Sequence, residues 1–176
     1  MKEMSYLWAK VKSRLSRNSK ETINNHFRKS GMKIGINCTI CSNIMTAEPY
    51  LIEIGDNVTF SGGVTLVTHD NSISKVIPGT TDLFGRITIG NNCFIGMNAT
   101  ILYGVTLADN VIVASGSVVT KSVHESNVIV GGNPARVLGT WDKFAEKNKT
   151  KAMNIKELSG DQKFELLSDE ENLVTR

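Results

Sequence analysis

The sequence predicts an all-β solenoid, a parallel β-helix with a helical appendage at each end. From Ile89 to His124 the chain repeats every six residues and can be written IGNNCF, IGMNAT, ILYGVT, LADNVI, VASGSV and VTKSVH. The first position of these units is always Ile, Leu or Val, and the fifth is small or β-branched. A six-residue period matches neither the 3.6-residue turn of an α-helix nor a long two-residue alternation.

Each six-residue unit is expected to form one short strand and one corner. The fifth residue of a unit and the first residue of the next are two apart, so their side chains point to the same face of a strand. Gly or Ala often fills the second position, and Asn often fills the third or fourth, where a tight corner tolerates them. Units of this kind stack as three flat sides per turn around an aliphatic interior.

The same pattern begins earlier, at Ile34-Gly35, and predicts a β-helix domain over residues 31–138. It slips by two residues between Met45 and Glu53, and it is absent from an inserted loop over residues 68–86. That loop carries four large apolar side chains, which a purely solvated linker would not need: Val76, Ile77, Leu83 and Phe84. We therefore expect the loop to be functional and to fold over a neighbouring subunit.

Residues 1–30 form a basic, amphipathic N-terminal segment for which two interpretations stay open. Residues 1–33 contain nine Lys or Arg and two Glu, a local net charge of +7, against +3 for the whole chain. A helical stripe is formed by Met4, Leu7, Trp8, Val11 and Leu15. We favour a helix that buries this stripe over the open end of the coil. The alternative is peripheral attraction of residues 1–20 to an anionic membrane surface or glycolipid.

Residues 139–176 are expected to form a helical extension. A helix over residues 140–149 should carry Trp141, Phe144 and Ala145 on one side. A second helix should start near Asp161, because Ser159 and Gln162 have the spacing of a capping box. Leu158, Phe164 and Leu167 would supply the buried side of that helix.

The composition of the 176-residue chain bounds the possible functions. No apolar run is long enough to cross a bilayer, and the N-terminus lacks the apolar block of a signal peptide, so the expected location is cytoplasmic. Nothing indicates base readout of nucleic acid. The three cysteines are an odd count without a second CxxC pair, so we interpret them as packed thiols and predict no metal site.

The stretch from Ile54 to Leu138 resembles a known family. It contains IGDNVTFSGGVTLVTHD, then ITIGNNCFIGMNATILYGVTLADNVIVASGSVVTKSV, then VIVGGNPARVL. These motifs are similar to those of the left-handed β-helix acetyltransferases with hexapeptide repeats, including the maltose and galactoside acetyltransferases. EPYLIEIGDN and TDLFG are closer still to the sugar O-acetyltransferases of surface-polysaccharide synthesis. The resemblance implies a left-handed coil, a homotrimer with active sites in clefts between coils, acetyl-CoA as co-substrate and a sugar or glycan acceptor.

Acetyl transfer from a thioester to a hydroxyl needs a base for the hydroxyl proton, and histidine suits that role because its ordinary pKa is near neutral. Of His26, His69 and His124, only His69 opens the irregular loop, and the resemblance identifies it as the catalytic histidine. Glu48 could orient His69 or bind sugar hydroxyls, or it could be surface charge. The other candidate acceptor-side residues are Asn43, Asp70 and Phe84.

The resemblance also assigns the cofactor contacts. The backbone at Gly96-Met97 corresponds to the thioester and oxyanion position, where Met97 leaves a main-chain N–H as donor. Ser115 corresponds to a pantetheine contact, Thr120-Lys121 corresponds to the Thr-Lys pair of the family's CoA site, and Arg136 corresponds to the first basic residue of its nucleotide site. Lys121 and Arg136 also make chemical sense as cations for CoA phosphates.

Three rival functions remain at this point. Serine or xenobiotic acetyltransferases share the fold, although a serine acetyltransferase needs a large helical N-terminal domain. A γ-type carbonic anhydrase needs three converging histidines, and His26 lies outside the repeats. A non-catalytic structural β-helix would have no reason to keep His69, Lys121 and Arg136 together.

Overall fold

The computed structural model describes residues 2–16 and 18–174. The contacts divide the chain into two units, residues 1–139 and 140–176. The helices are α1 (Lys2–Arg14), α2 (Ser19–Ser30), α3 (Trp141–Asn148) and α4 (Gly160–Ser168). The strands are β1 (Lys33–Ile34), β2 (Thr39–Ile40), β3 (Ile52–Ile54), β4 (Thr59–Phe60), β5 (Thr65–Leu66), β6 (His69–Asp70), β7 (Leu83–Phe84), β8 (Ile87–Ile89), β9 (Phe94–Ile95), β10 (Thr100–Ile101), β11 (Thr106–Leu107), β12 (Val111–Val113), β13 (Val118–Val119), β14 (Val128–Gly132) and β15 (Ala135–Thr140).

The short strands of the first unit stack into three sheets. Their orders are β1-β3-β8-β11, β5-β10-β13 and β2-β4-β9-β12-β14-β15. The registered pairs within them are parallel, as in Thr100 opposite Thr65 on one side and Val118 on the other. From β8 to β13, consecutive strands along the chain belong to different sheets, which is the topology of a coil with three sides.

The interior of this coil is the aliphatic row that the six-residue period predicts. All six leading residues of the units between Ile89 and Val119 are at most 1% exposed. The fifth residues Cys93, Ala99, Val105, Val111 and Ser117 are buried beside them. Phe60 is fully buried and is the largest side chain at an inward position of the strands. The prediction of an inward row is therefore confirmed for these coils.

Asparagines form one corner of the coil. Asn57, Asn92 and Asn110 have φ angles of 56°, 56° and 60°, in the left-handed region that Asn adopts more readily than most residues. Their side chains are stacked, because Asn57 Nδ2 donates to Asn92 Oδ1 at 2.7 Å and Asn92 Nδ2 donates to Asn110 Oδ1 at 2.8 Å. The same residue type thus makes the turn and links successive coils.

The N-terminal helices correct one expectation from the sequence. Helix α2 packs Ile23 and Phe27 into the core, and Asn24 Nδ2 donates to the carbonyl of Cys38 in the first coil at 3.0 Å. In α1 the predicted stripe is exposed instead of buried, from Leu7 to Leu15, while the Met4 side chain lies outside the described residues. Burial of that stripe over the coil is therefore wrong, since α2 occupies this position.

The inserted loop has secondary structure of its own. Strands β6 and β7 pair in antiparallel fashion, with His69 opposite Phe84, and a 3-10 helix (Asn71–Lys75) follows β6. The apolar side chains that the sequence singled out are all exposed: Val76, Ile77, Leu83 and Phe84.

The second unit contains α3 and α4. The predicted capping box is confirmed, because Ser159 accepts from the Gln162 N–H and the Gln162 side chain accepts from the Ser159 N–H. The expected burial of Phe164 is wrong, since that side chain is largely exposed and neither helix contains a buried residue. Within the residues described, no helix has both the length and the apolar character needed to cross a membrane.

Candidate active site

His69 lies where the coil opens into the inserted loop. The preceding residue, Thr68, is buried, whereas the His69 side chain is 41% exposed. Across the β6–β7 pair the His69 and Phe84 rings approach to 5.9 Å between centroids at an angle of 47°. The imidazole is therefore held against a loop aromatic on one side and is open to a ligand on another.

Glu48 reaches His69 from the previous coil. The Glu48 Oε2 atom is 2.8 Å from His69 Nδ1, and the Glu48 side chain is only 13% exposed. Glu48 immediately precedes a 3-10 helix (Pro49–Leu51), which lies within the register slip seen in the sequence. The interruption of the repeats thus brings a carboxylate to the imidazole.

Two threonines that sequence reasoning missed hold this carboxylate. Thr68 Oγ1 donates to Glu48 Oε2 at 2.7 Å, and Thr46 Oγ1 lies 2.7 Å from Thr68 Oγ1. Since the Thr68 hydroxyl proton is used on Glu48, Thr46 is the donor between the two hydroxyls. Thr46 Oγ1 also accepts from the Glu48 N–H at 3.1 Å, which closes a ring of hydrogen bonds. Thr68 stands beside His69 in the sequence, but Thr46 lies in the irregular segment and gives no periodic signal.

This ring determines the tautomer of His69. The hydrogen bond from Thr68 is the main cause that lowers the pKa of Glu48, and the hydrogen bond from His69 lowers it further against the effect of desolvation. Glu48 is consequently an ionised carboxylate at neutral pH and can only accept. His69 therefore carries a hydrogen on Nδ1, and in its neutral form it presents the lone pair on Nε2, an atom that has no hydrogen-bond partner among the described residues.

Asp70 is engaged elsewhere. Its Oδ1 accepts from the Ser72 N–H at 2.8 Å, and its Oδ2 accepts from the Tyr103 hydroxyl at 3.3 Å. The hydrogen bonds from Ser72 are the main cause of a lowered pKa for Asp70. The structure thus gives Asp70 the geometry of a cap for the 3-10 helix after β6, not that of a hydrogen-bond partner of His69.

Asn43 has no hydrogen bond to His69 among the described residues. It lines a cavity of about 190 Å³ between α2 and the first coil, together with His26, Phe27 and Pro49. Thr46 lines the same cavity and also belongs to the hydrogen-bonded ring around Glu48. Phe84, by contrast, does lie beside His69.

Gly96, Met97 and Ser115 meet at one corner on adjacent coils. The Gly116 N–H donates to the Met97 carbonyl at 2.8 Å, and a Cβ at Gly96 would lie 2.5 Å from the Ser115 nitrogen. The Gly96 N–H is not available to a ligand, because it donates to the Val113 carbonyl at 2.8 Å. The Met97 N–H has no partner within the described chain and is the donor that remains.

Lys121 and Arg136 line one groove of about 340 Å³. Thr120 directly follows β13. In the β5-β10-β13 sheet, β13 lies two coils away from β5. Because the chain leaves β5 towards His69 and leaves β13 towards Lys121, both residues follow the same end of this sheet. Met97 and Ser115 precede the strands, so they lie at the opposite end.

The described part of the chain contains no cluster of metal ligands. Across residues 2–16 and 18–174, no three or more His, Cys, Asp or Glu side chains are grouped so that they could hold an ion.

Comparison with known proteins was made on sequence and on fold. The family model described as the hexapeptide repeat of succinyl-transferase matches residues 86–121. Protein CapG of Staphylococcus aureus is 42% identical over 142 residues, which cover 77% of this chain and 81% of that protein. The chain belongs to the hexapeptide-repeat acetyltransferases. Another relative of this acetyltransferase, the galactoside O-acetyltransferase of Escherichia coli strain K12, is 36% identical over 62% of this chain and 54% of its own length.

The fold comparison agrees with this family. A structure of galactoside acetyltransferase in complex with coenzyme A superposes on this acetyltransferase with a TM-score of 0.55 and 24% identity, over 82% of this chain and 84% of that one. That likeness shows a common fold. The hexapeptide-repeat neighbours imply that the coil is a left-handed β-helix.

Proposed function

We propose that this protein transfers the acetyl group of acetyl-CoA to a hydroxyl of a sugar or polysaccharide precursor, with His69 as general base. The observation that carries the proposal is the hydrogen bond between Glu48 Oε2 and His69 Nδ1, which leaves Nε2 with a lone pair and open to solvent. The names of the relatives, two of which are galactoside acetyltransferases, support the sugar acceptor.

The chemistry needs no covalent enzyme intermediate. The acceptor oxygen attacks the thioester carbonyl carbon while its proton passes to Nε2 of His69. The carbon–sulfur bond then breaks, and the imidazolium returns the proton to the departing sulfur. Glu48 stabilises the imidazolium as it forms and fixes the ring in the required tautomer. The Met97 N–H is the donor that we propose for the oxyanion.

The residues of the Lys121 groove suit the binding of acetyl-CoA, the acetyl donor. Lys121 and Arg136 put two cations along one groove, as the phosphates of CoA require, and Thr120 and Ser115 supply hydroxyls on the same stack of coils. We assign the acceptor side to the neighbourhood of His69, with Phe84 as a wall of that site. Asp70 serves this side by holding the loop after β6 through its bonds to Ser72 and Tyr103.

A homotrimer would complete the site. His69 and Met97 lie at opposite ends of the short sides formed by β5, β10 and β13, so the length of a side separates them. A base at one end and an oxyanion donor at the other can act on one carbonyl only if a second copy brings them together. The exposed apolar residues of the loop, such as Ile77 and Leu83, would cover the neighbouring subunit. The proposal keeps the cytoplasmic location expected from the sequence.

Acceptor-dependent thiol release tests the proposal. Purified protein is incubated with acetyl-CoA and, separately, free galactosides, maltose, nucleotide sugars or serine, while free thiol is followed. The proposal expects release that depends on a sugar. Release with serine alone would overturn the sugar assignment, and failure to bind acetyl-CoA by calorimetry would favour a structural β-helix.

A further inference from the structure

Helix α1 presents its apolar stripe to solvent. Leu7, Trp8, Val11 and Leu15 are 61%, 70%, 45% and 86% exposed. At about 100° per residue Leu7, Trp8 and Val11 fall within an arc of about 100° on one side of the helix, and Leu15, one residue beyond its end, continues that side. A stripe of this width is what an amphipathic helix normally buries.

The opposite side of α1 is the one that packs on the protein. Tyr6 lies against Phe27 of α2, with 5.7 Å between ring centroids, and Tyr6 and Ala9 pack against the core. Ser13 is buried and bonds to the Lys10 carbonyl at 2.8 Å. These contacts already pack the helix against α2. The stripe is therefore exposed on a helix that is attached to the rest of the protein through its other side.

Cations border the stripe on both sides. On the same helical projection Lys12 lies about 40° beyond Trp8, and Arg14 and Lys10 lie about 20° and 60° beyond Leu7 on the other edge. All three are exposed. Lys10 and Lys20 also line a groove of about 390 Å³ next to the helix, together with hydroxyl groups such as Ser13 and Ser19.

The carboxylate of Glu21 does not neutralise these cations. Glu21 Oε1 is 2.5 Å from Arg28 Nη1, so its charge is already matched within α2. Among the described side chains, Lys10, Lys12, Arg14 and Lys20 have no carboxylate within ion-pair distance. Even when the charge of Glu3, the acidic residue in the sequence of α1, is counted against Lys10, Lys12 and Arg14, the border of the stripe has a net positive charge.

We propose that this face of α1, formed by Leu7, Trp8, Val11 and Leu15, docks the protein onto the surface of an anionic lipid bilayer. An apolar arc that contains Trp, bordered by Lys and Arg, matches the two halves of such a surface, the acyl boundary and the anionic headgroups. The Lys10–Lys20 groove takes a headgroup phosphate. A second copy of the same face is disfavoured as the occupant, because its cations would be brought together.

Vesicle flotation tests the docking. The protein is mixed with one of two kinds of vesicle, and the fraction that floats with the vesicles is measured. One kind contains phosphatidylcholine alone, and the other also contains about 40% phosphatidylglycerol, which gives a strongly anionic surface. We expect binding only to the anionic vesicles, and a loss of about tenfold when salt is raised from 0.1 M to about 0.5 M. In a Trp141→Phe background the emission of Trp8 should shift to the blue when anionic vesicles are added.

Two variants and one control separate the docking from a folding effect. Leu7→Ser/Trp8→Ser removes apolar area and Lys10→Glu/Lys12→Glu reverses charge, and each should lower the bound fraction by about tenfold or more. Phe164→Ser, which removes an equally exposed aromatic from α4, should leave binding unchanged. Thermal unfolding of each variant checks its fold.

Three results would overturn the proposal. The first is no binding to anionic vesicles, and the second is equal binding to neutral and anionic ones. The third is a change of oligomeric state in Leu7→Ser/Trp8→Ser while vesicle binding stays intact, which would make this face a contact between copies. None of these results bears on His69, so the proposed acetyl transfer is tested separately.

Discussion

Glu48 Oε2 and His69 Nδ1 lie 2.8 Å apart although 21 residues separate them in the chain. The contact exists because the repeat is interrupted before β3, where the 3-10 helix Pro49–Leu51 replaces a regular corner and Glu48 precedes it. A regular coil offers mainly small or aliphatic inward residues and exposed corner residues. The irregular segment is what delivers a partly buried carboxylate to an imidazole on the next coil.

Replacement of Glu48 by Gln should lower kcat by about 100-fold or more and change the KM for acetyl-CoA little. A glutamine amide can donate to Nδ1 and so favours the tautomer that has no lone pair on Nε2, and it cannot stabilise an imidazolium. Steady-state thiol release measures both constants. Glu53→Gln is the matched control, since Glu53 lies on β3 and its ion pairs among the described residues are with two exposed cations, Lys33 at 3.4 Å and Arg86 at 4.0 Å. Equal losses in the two variants would argue against a specific role for Glu48.

Replacement of Thr68 by Val should raise the pH at which Glu48 becomes protonated. The Thr68 hydroxyl is the main cause of the lowered pKa of Glu48, so its removal raises that pKa. Thr68→Ser keeps the hydroxyl and should restore the wild-type titration. NMR titration of the Glu48 carboxyl carbon measures this pKa, and an unchanged titration in Thr68→Val would show that the Thr68 hydroxyl does not stabilise the carboxylate.

The same shift has a consequence for stability. Because the pKa of Glu48 is lower in the folded state than in the unfolded state, its ionisation favours folding above the unfolded pKa, near 4.3. That contribution is lost as the pH falls through the lower, folded-state pKa. In urea titrations below about pH 4.5, wild-type protein should therefore lose more stability than Glu48→Gln does. Parallel loss in the two proteins would contradict this account of the carboxylate.

The asparagine corner should contribute measurably to stability. Asn92→Ala should lower the free energy of unfolding by about 2 kcal/mol, through two lost side-chain hydrogen bonds and a left-handed backbone that alanine disfavours. Asn92→Gly keeps the backbone favourable and should cost only about 1 kcal/mol. Urea midpoints compare them, and a glycine variant less stable than the alanine variant would refute the role of the positive φ.

Lys121→Ala and Arg136→Ala should each raise the KM for acetyl-CoA by about tenfold and leave kcat within a factor of about two. Both cations line one groove, and neither is near the reacting carbonyl in the proposed geometry. Lys147→Ala removes an exposed cation from α3 and serves as the control. A fall in kcat without a change in KM would mean that the groove does not hold the donor.

The sequence predicts those parts of the fold that depend on a period. Ile89, Ile95 and Val113 had to share an interior because a six-residue unit turns the same face inward each time, and the structure buries them. The burial of these residues depends on their position in the six-residue unit and does not depend on contacts with distant segments. The capping box of Ser159 and Gln162 was equally readable, because its hydrogen bonds are local.

Features that depend on contacts between distant segments were not readable in this way. The side of α1 that is buried is decided by α2, and amphipathicity alone favoured the wrong side. The ring that joins Thr46, Thr68 and Glu48 spans two coils through an irregular segment, where no register relates the residues. The register slip gives no strand position for Asn43 either, and the structure adds only that it lines the cavity beneath α2, so its acceptor-side role stays a prediction.

Turnover of the His69→Ala variant tests the central claim most directly. The account predicts that acceptor-dependent thiol release falls by at least about 1,000-fold, with unchanged binding of acetyl-CoA by calorimetry and an unchanged melting temperature. His124→Ala, which removes an exposed histidine that lines the groove of Lys121 and Arg136, should keep kcat within a factor of about two. Near-normal turnover in His69→Ala would contradict the proposal that this imidazole, held by Glu48, is the base.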